Sequence, residues 1–344
     1  MRKHRWLGVV LVVVALTAMA CGKSDDGTVK GGQGSTVTTA ATSAVPSFPA
    51  GSTMANIQAK GKLTVGVKFD QPGFGQRNPT NNQIEGFDIE IAKLIAVGIF
   101  GGKVADVGSK VTFTEAQSAN REPFIQNGTV DMVVATYTIN DTRKQVVDFA
   151  GPYFITHQDI MVKATDTSIK SVDDLKTKKV CTATGSTSEK NLLAKGVPDA
   201  NITRFGGYSD CASALGDGRV NAVSTDAPIL AGLVQSSNGQ FKLVKAPFTD
   251  EPYGIGVKKG DTAFRNFIND RLETIYKSGE WATAFGATLG KIGLDTPTPP
   301  PVDRYTSTGG GSSTTSAGGA STTAGGGTTS STVGGASTST TARP

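Results

Sequence analysis

The sequence predicts an α/β protein with largely parallel sheets. Between residues 56 and 296, short apolar runs alternate with segments of helical period. Hydroxyl, cationic and carboxylate residues cluster just after the apolar runs, where the carboxyl ends of strands would lie. The stretch holds about 240 residues, enough to bury two modest cores.

The elements follow in order. LTVGV (63–67) reads as a strand. Residues 86–100 carry Phe87, Ile91, Leu94, Ile95 and Ile99 at helical spacing. VTF (111–113) is a short strand, and 121–126 a short helix ended by Asn127-Gly128. Residues 131–136 form a buried strand. The same grammar then repeats: a helical turn at 172–175, a strand at 180–183 and a helix at 188–195. A helix at 209–215 stops near 216–218 and is followed by a strand at 220–224 and a helix at 227–234. A strand at 253–257 and two helices, 262–277 and 280–289, complete the region.

The strand ends carry the chemistry. Lys68 follows the first strand, and Ser118 and Arg121 precede the short second helix. Thr136, Thr138 and Arg143 follow the third strand. Ser186, Thr187 and Glu189 open a helix after 180–183, and Asp226 follows 220–224. Hydroxyls, cations and one carboxylate are what a small zwitterion with extra negative charge requires. Ser186 and Glu189 have capping-box spacing, and the same helix start offers N–H groups to an anion. Phe69, Phe74 and Tyr137 also follow strands, as pocket walls or as core.

Charge placement excludes other classes. The chain has 34 Lys+Arg and 29 Asp+Glu, but residues 56–304 keep 28 and 27, so the folded region is nearly neutral. No basic run exceeds two residues there, which argues against nucleic acid. The two histidines are His4 and His157, too few for a multi-histidine metal site, so no metal or other cofactor is expected. His157 reads as a polar rim residue, and Trp281 as packing for the last helices. The three cysteines have no CxxC spacing, which excludes a zinc ribbon or redox dithiol.

Residues 1–20 read as an export signal: a basic start, an apolar stretch too short to span a bilayer, then Cys21. LTAMAC resembles a bacterial lipobox, with Ala18 in place of the usual Leu. Acylation of Cys21 would hold the mature chain at the outer face of the cytoplasmic membrane. Cys181 and Cys211 then remain in an oxidising compartment, either as a disulfide or as two buried thiols. Residues 21–55 read as a flexible linker. Residues 297–344 read as a disordered tail, since 305–344 hold 10 Gly and 21 Ser/Thr.

The runs Gly86-Phe87-Asp88-Ile89-Glu90-Ile91-Ala92, Asn127-Gly128-Thr129-Val130-Asp131, Thr136-Tyr137-Thr138-Ile139-Asn140-Asp141-Thr142-Arg143 and Val147-Asp148-Phe149-Ala150-Gly151-Pro152-Tyr153-Phe154 resemble one family. It is the polar amino-acid class of extracellular solute-binding proteins of ABC importers, family 3. The resemblance covers about residues 57–290. It implies a two-lobed, type II periplasmic-binding-protein fold, each lobe a mostly parallel sheet flanked by helices. Lobe 1 would comprise 56–155 and a return segment 249–296, and lobe 2 residues 156–248, joined by two hinge strands.

The resemblance also implies roles. Arg143, with the main-chain N–H of Thr138, would grip an α-carboxylate, aided by Ser186 and Thr187 from lobe 2. Thr136 and Asp226 would take the α-amino group. Ser118 and Arg121 resemble the pair that holds a distal carboxylate, and Lys68 stands where such binders place a second cation, usually Arg. The expected ligand is L-glutamate, then L-aspartate, with glutamine or asparagine as the alternative, because a neutral amide would leave Arg121 unpaired. The expected partners are the permease and its ATPase, and the chain a monomer; sensing through a membrane receptor is the competing role. An enzyme is not expected: Asp226 and Arg143 match binder roles, and the tail leaves no room for a lyase domain.

Overall fold

The computed structural model describes residues 45–305. The leader, Cys21 and most of the linker, and the sequence after 305, lie outside the described residues.

The chain enters through α1 (Thr53–Lys60), whose start is capped by Ser52 Oγ accepting from Ala55 N at 3.3 Å. β1 (Leu63–Val67) leads into a small antiparallel sheet of β2 (Asp70–Gln71), β3 (Gly75–Arg77) and β4 (Ile84–Glu85). α2 (Phe87–Phe100) is buried along almost its whole length. Its N-cap, Gly86, sits at φ 133°, and a Cβ there would meet Phe74 O at 2.2 Å. Only glycine fits both demands. Next come α3 (Val104–Val107), β5 (Val111–Glu115), α4 (Arg121–Gln126), β6 (Met132–Val133), α5 (Asp141–Lys144) and β7 (Val147–Thr156).

His157 separates β7 from β8 (Gln158–Lys163), the first crossing between lobes. Lobe 2 continues with β9 (Val180–Ala183), α6 (Thr187–Ala194), β10 (Ile202–Phe205), α7 (Tyr208–Gly216), β11 (Ala222–Asp226), α8 (Ala227–Ser236) and β12 (Phe241–Leu243). β13 (Glu251–Lys258) returns to lobe 1, which ends with α9 (Thr262–Ser278) and α10 (Glu280–Ala287).

Each lobe has a five-stranded sheet, in the orders β5-β1-β6-β13-β7 and β10-β9-β11-β8-β12. The sheets are mixed rather than uniformly parallel. β13 runs antiparallel to β6 and β7, and β8 antiparallel to β11 and β12. The reversed strand in each sheet is the one that has just arrived from the other lobe. β7 and β13 pair side by side, with Glu251 opposite Thr156 and Tyr253 opposite Phe154, so the two hinge strands share hydrogen bonds up to the crossing.

An aromatic cluster joins α2, the hinge strands and α10. Trp281 stacks on Phe285 at 5.4 Å, meets Phe87 edge-on at 5.5 Å, and donates its indole N–H to Tyr153 O at 2.9 Å. Such contacts add to burial about 0.5–1.5 kcal/mol per pair. In lobe 2, Cys181 of β9 and Cys211 of α7 form a disulfide with a Cα separation of 5.4 Å.

Two boundaries differ from the sequence reading. Helix α1 begins at Thr53, inside the stretch read as linker, and Phe48 packs edge-on against Phe267 at 5.3 Å. Residues 297–305, read as tail, include a strap over lobe 1: Asp303 N donates to Gly151 O at 2.8 Å and Tyr305 Oη accepts from Phe149 N at 2.8 Å. Pro-rich sequence with one aromatic hides this, because the strap is held by edge hydrogen bonds and not by a periodic apolar face.

Candidate functional site

The carboxyl ends of β1 and β6 in lobe 1 meet those of β9 and β11 in lobe 2, and the candidate residues gather there. On the lobe 1 side Lys68 is buried and donates to Ser118 Oγ at 2.9 Å. Burial, then the nearby Arg121 charge, lowers the Lys68 ammonium to about 7. Arg121, also buried, donates from Nε to Ser118 O at 3.2 Å and from Nη1 to Ala135 O and Thr136 O at 3.1 and 3.2 Å. Its guanidinium lies 4.3 Å from the centre of the Tyr137 ring.

Arg143 stacks on the same tyrosine at 4.8 Å. It donates from Nη1 to Thr138 O at 2.7 Å and from Nε to Glu122 Oε1 at 3.1 Å. Burial and the neighbouring Arg121 charge lower it to about 10. Thr136 sits at φ 44°, in the left-handed region that a β-branched residue seldom adopts. Asp88 holds it there by accepting from Thr136 N at 2.9 Å, and Tyr153 Oη in turn donates to Asp88 at 2.7 Å. That pose turns the Thr136 carbonyl toward Arg121 and its hydroxyl toward Gln71 Oε1 at 3.0 Å.

Lobe 2 supplies a helix start and a carboxylate. Ser186 caps α6, its Oγ accepting from Glu189 N at 3.0 Å. Glu189 Oε2 reaches back to Gly185 N at 2.8 Å, one residue earlier than the usual reciprocal bond of a capping box. Asp226, at the end of β11, is buried and accepts from the Tyr253 hydroxyl through Oδ2. Its Oδ1 has no hydrogen-bond partner among the described residues. Burial, reinforced by the Glu251 charge, raises the Asp226 carboxyl to about 8.

The lobes touch across the site. Thr138 Oγ1 and Thr187 Oγ1 are 3.4 Å apart, and Arg143 Nη2 donates to Gly185 O at 3.4 Å. All nine candidates therefore lie in one network or on its immediate edge. Besides Asp88 and Glu122, sequence reasoning missed three further participants. Gln71 holds Thr136. Glu251 accepts from Thr138 Oγ1 at 2.7 Å and from Asn191 Nδ2 at 2.8 Å, joining both lobes at the hinge. Tyr253 holds Asp226. The polar Glu251-Pro252-Tyr253 start of a hinge strand was the available signal. Of the aromatics, Phe74 is core, Tyr137 is the platform for both arginines, and Phe69 carries Arg77 at 4.4 Å. No group of His, Cys, Asp or Glu suited to a metal occurs among the described residues.

The model of the bacterial extracellular solute-binding proteins, family 3, matches residues 63–287. The chain belongs to this family. A glutamate-binding protein, GluB, of Corynebacterium efficiens is 39% identical over 237 residues, covering 67% of this chain and 80% of GluB. The glutamine-binding protein GlnH of a Bacillus subtilis ABC transporter is 42% identical over 230 residues, covering 67% and 81%. The solved structure of an ancestral arginine-binding protein bound to glutamine aligns with TM-score 0.60 at 38% identity, covering 67% of this chain and 98% of that one. This solute-binding protein is thus a binder of the polar amino-acid importer class and not an enzyme. No helix among the described residues is long and apolar enough to cross a membrane.

Proposed function

We propose that this protein is the receptor of an ABC importer that closes on an acidic amino acid, L-glutamate first and L-aspartate second. What carries the reading is the meeting of Lys68, Arg121 and Arg143 from one lobe with the half-satisfied Asp226 from the other. An amino acid joins these groups at once. Its α-carboxylate pairs with Arg143, the Thr138 N–H and the start of α6 with Ser186 and Thr187. Its ammonium lies between Thr136 and Asp226. A distal carboxylate reaches Ser118, Arg121 and Lys68. Both lobes contribute, so ligand binding and closure are one event.

Glutamine is the second reading, favoured by the 42% identity to a glutamine-binding protein. Under either reading Cys21 carries the lipid that keeps the receptor at the membrane, and the permease receives the bound amino acid. Isothermal titration with glutamate, aspartate, glutamine and asparagine tests the choice. Glutamate should bind tightest; tight glutamine binding with no heat from glutamate would sink the acidic reading.

A further inference from the structure

Asp70 lies two residues beyond Lys68, on β2 of lobe 1, and its carboxylate reaches across to lobe 2. Oδ2 accepts from Tyr208 N at 2.6 Å and from Ser209 N at 3.3 Å, the first two amides of α7. Those amides have no partner inside their own helix, and the helix dipole favours an anion there. Gly207, the N-cap of α7, offers no side chain to do the task. The lobe 2 surface beside it is cut back for this approach. A Cβ on Gly207 would meet Asp70 Oδ2 at 2.4 Å, one on Gly206 would meet Gln117 Oε1 at 2.6 Å, and one on Gly185 would meet Ala119 Cα at 2.9 Å. Each of these neighbours belongs to lobe 1.

The contact also leads inward. Tyr208 Oη donates to Ser188 Oγ at 3.3 Å, and Ser188 Oγ donates to Thr225 Oγ1 at 3.2 Å, next to Asp226. The disulfide pins the same helix to β9, whose carboxyl end leads to Ser186. A change in the seating of α7 is therefore felt at both lobe 2 groups that face the cleft.

We propose that Asp70 is a positioning residue that latches the closed form by capping a helix of the opposite lobe, without touching the amino acid. The proposal rests on the reading that the lobes close over an amino acid, but not on which one. It predicts that the contact between Asp70 and α7 sets the lifetime of the closed form, and that loosening this contact alone leaves the choice among amino acids unchanged. Asparagine at this position keeps an acceptor for the two amides and loses the charge.

The test is single-molecule energy transfer on the full chain, with one dye near Ser109 and one near Lys195, both exposed and on different lobes. It is run without added amino acid and with glutamate, aspartate, glutamine or asparagine. Asp70→Ala and Gly207→Ala should shorten the closed dwell about tenfold wherever the wild type closes, including brief ligand-free closures. Asp70→Asn should fall between. In Gly207→Ala, which keeps the Asp70 charge that acts on Lys68, the ratio of glutamate to glutamine affinity should stay within twofold. Dwell times equal to the wild type's overturn the latch, and a shifted affinity ratio in Gly207→Ala overturns the claim that the latch acts apart from the ligand. A wild type that closes with none of the four overturns the functional reading instead, and its ligand-free dwell times still judge the latch.

Discussion

The two walls of the cleft are built on different principles. The lobe 1 wall is already occupied with itself: Lys68 is bonded to Ser118, Arg121 to three carbonyls, and Arg143 to Glu122 and the Thr138 carbonyl. Its cations are aimed before anything arrives, so little ordering is left to be done on binding. The lobe 2 wall is incomplete. Ser186 is committed to its helix, and Asp226 has one oxygen engaged and the other bare. A buried carboxylate in that condition is costly until a donor reaches it. Under the proposed reading lobe 1 supplies the cations for the ligand's carboxylates, and Asp226 of lobe 2 answers its ammonium.

Breaking the rigid wall should have the largest effect. Arg143→Ala should weaken binding at least about thirtyfold, in line with about 2–5 kcal/mol for truncating a buried charge pair, with the far-ultraviolet circular dichroism unchanged. Affinity surviving within tenfold, by titration calorimetry, would remove Arg143 from the carboxylate site. On the other wall, Asp226→Asn should cost about 2 kcal/mol or more, and equally for glutamate and glutamine, because both carry the same ammonium.

Proton traffic sharpens the contrast. Burial holds the Asp226 carboxyl up, to about 8, and the Lys68 ammonium down, to about 7, so both exchange protons near neutral pH. An arriving ammonium favours the Asp226 carboxylate, which releases a proton. A distal carboxylate favours the Lys68 ammonium, which takes one up. Glutamate should therefore bind with nearly balanced proton exchange, and glutamine with net release. Titrations in buffers of different ionisation enthalpy read the difference, and equal release by both ligands would detach Lys68 from the distal site. The smallest effect on affinity should come from the disulfide. Replacing Cys181 and Cys211 by Ser should cost about 3 kcal/mol of stability, seen as a lower melting temperature, with affinity reduced less than the Asp226 change reduces it.

How much of this was legible in the sequence follows from which forces leave a pattern. Helix α2 announces itself because its apolar residues recur at helical spacing, and the strand-end residues do so because parallel strands deliver their polar successors to one edge. Ser186 and Glu189 carry their cap in their spacing. Strand direction leaves no such trace. β13 reads like any buried strand, and its reversal comes from the chain's return from lobe 2. The short strands β10 and β12, ITRF and FKL, are too polar to stand out from loops. Helix α1 has only Met54 and Ile57 buried and shows little period. Gln71, Glu251 and Asp70 are polar residues among many. Their roles depend on partners 65, 113 and 138 positions away, which no local window contains.

Both exits of the described region meet on one helix. Phe48 packs on Phe267 and Thr53 bonds to Asp261 at the start of α9, while Arg304 pairs with Asp270 and Glu273 and stands beside Tyr305, whose ring lies 4.5 Å from Arg265. Tension on either end of the chain is thus carried into α9 and lobe 1. The carboxyl-terminal exit also bonds to hinge strand β7, at Gly151 and Phe149. Each of these contacts lies on lobe 1, so a pull at either exit is taken up first by lobe 1.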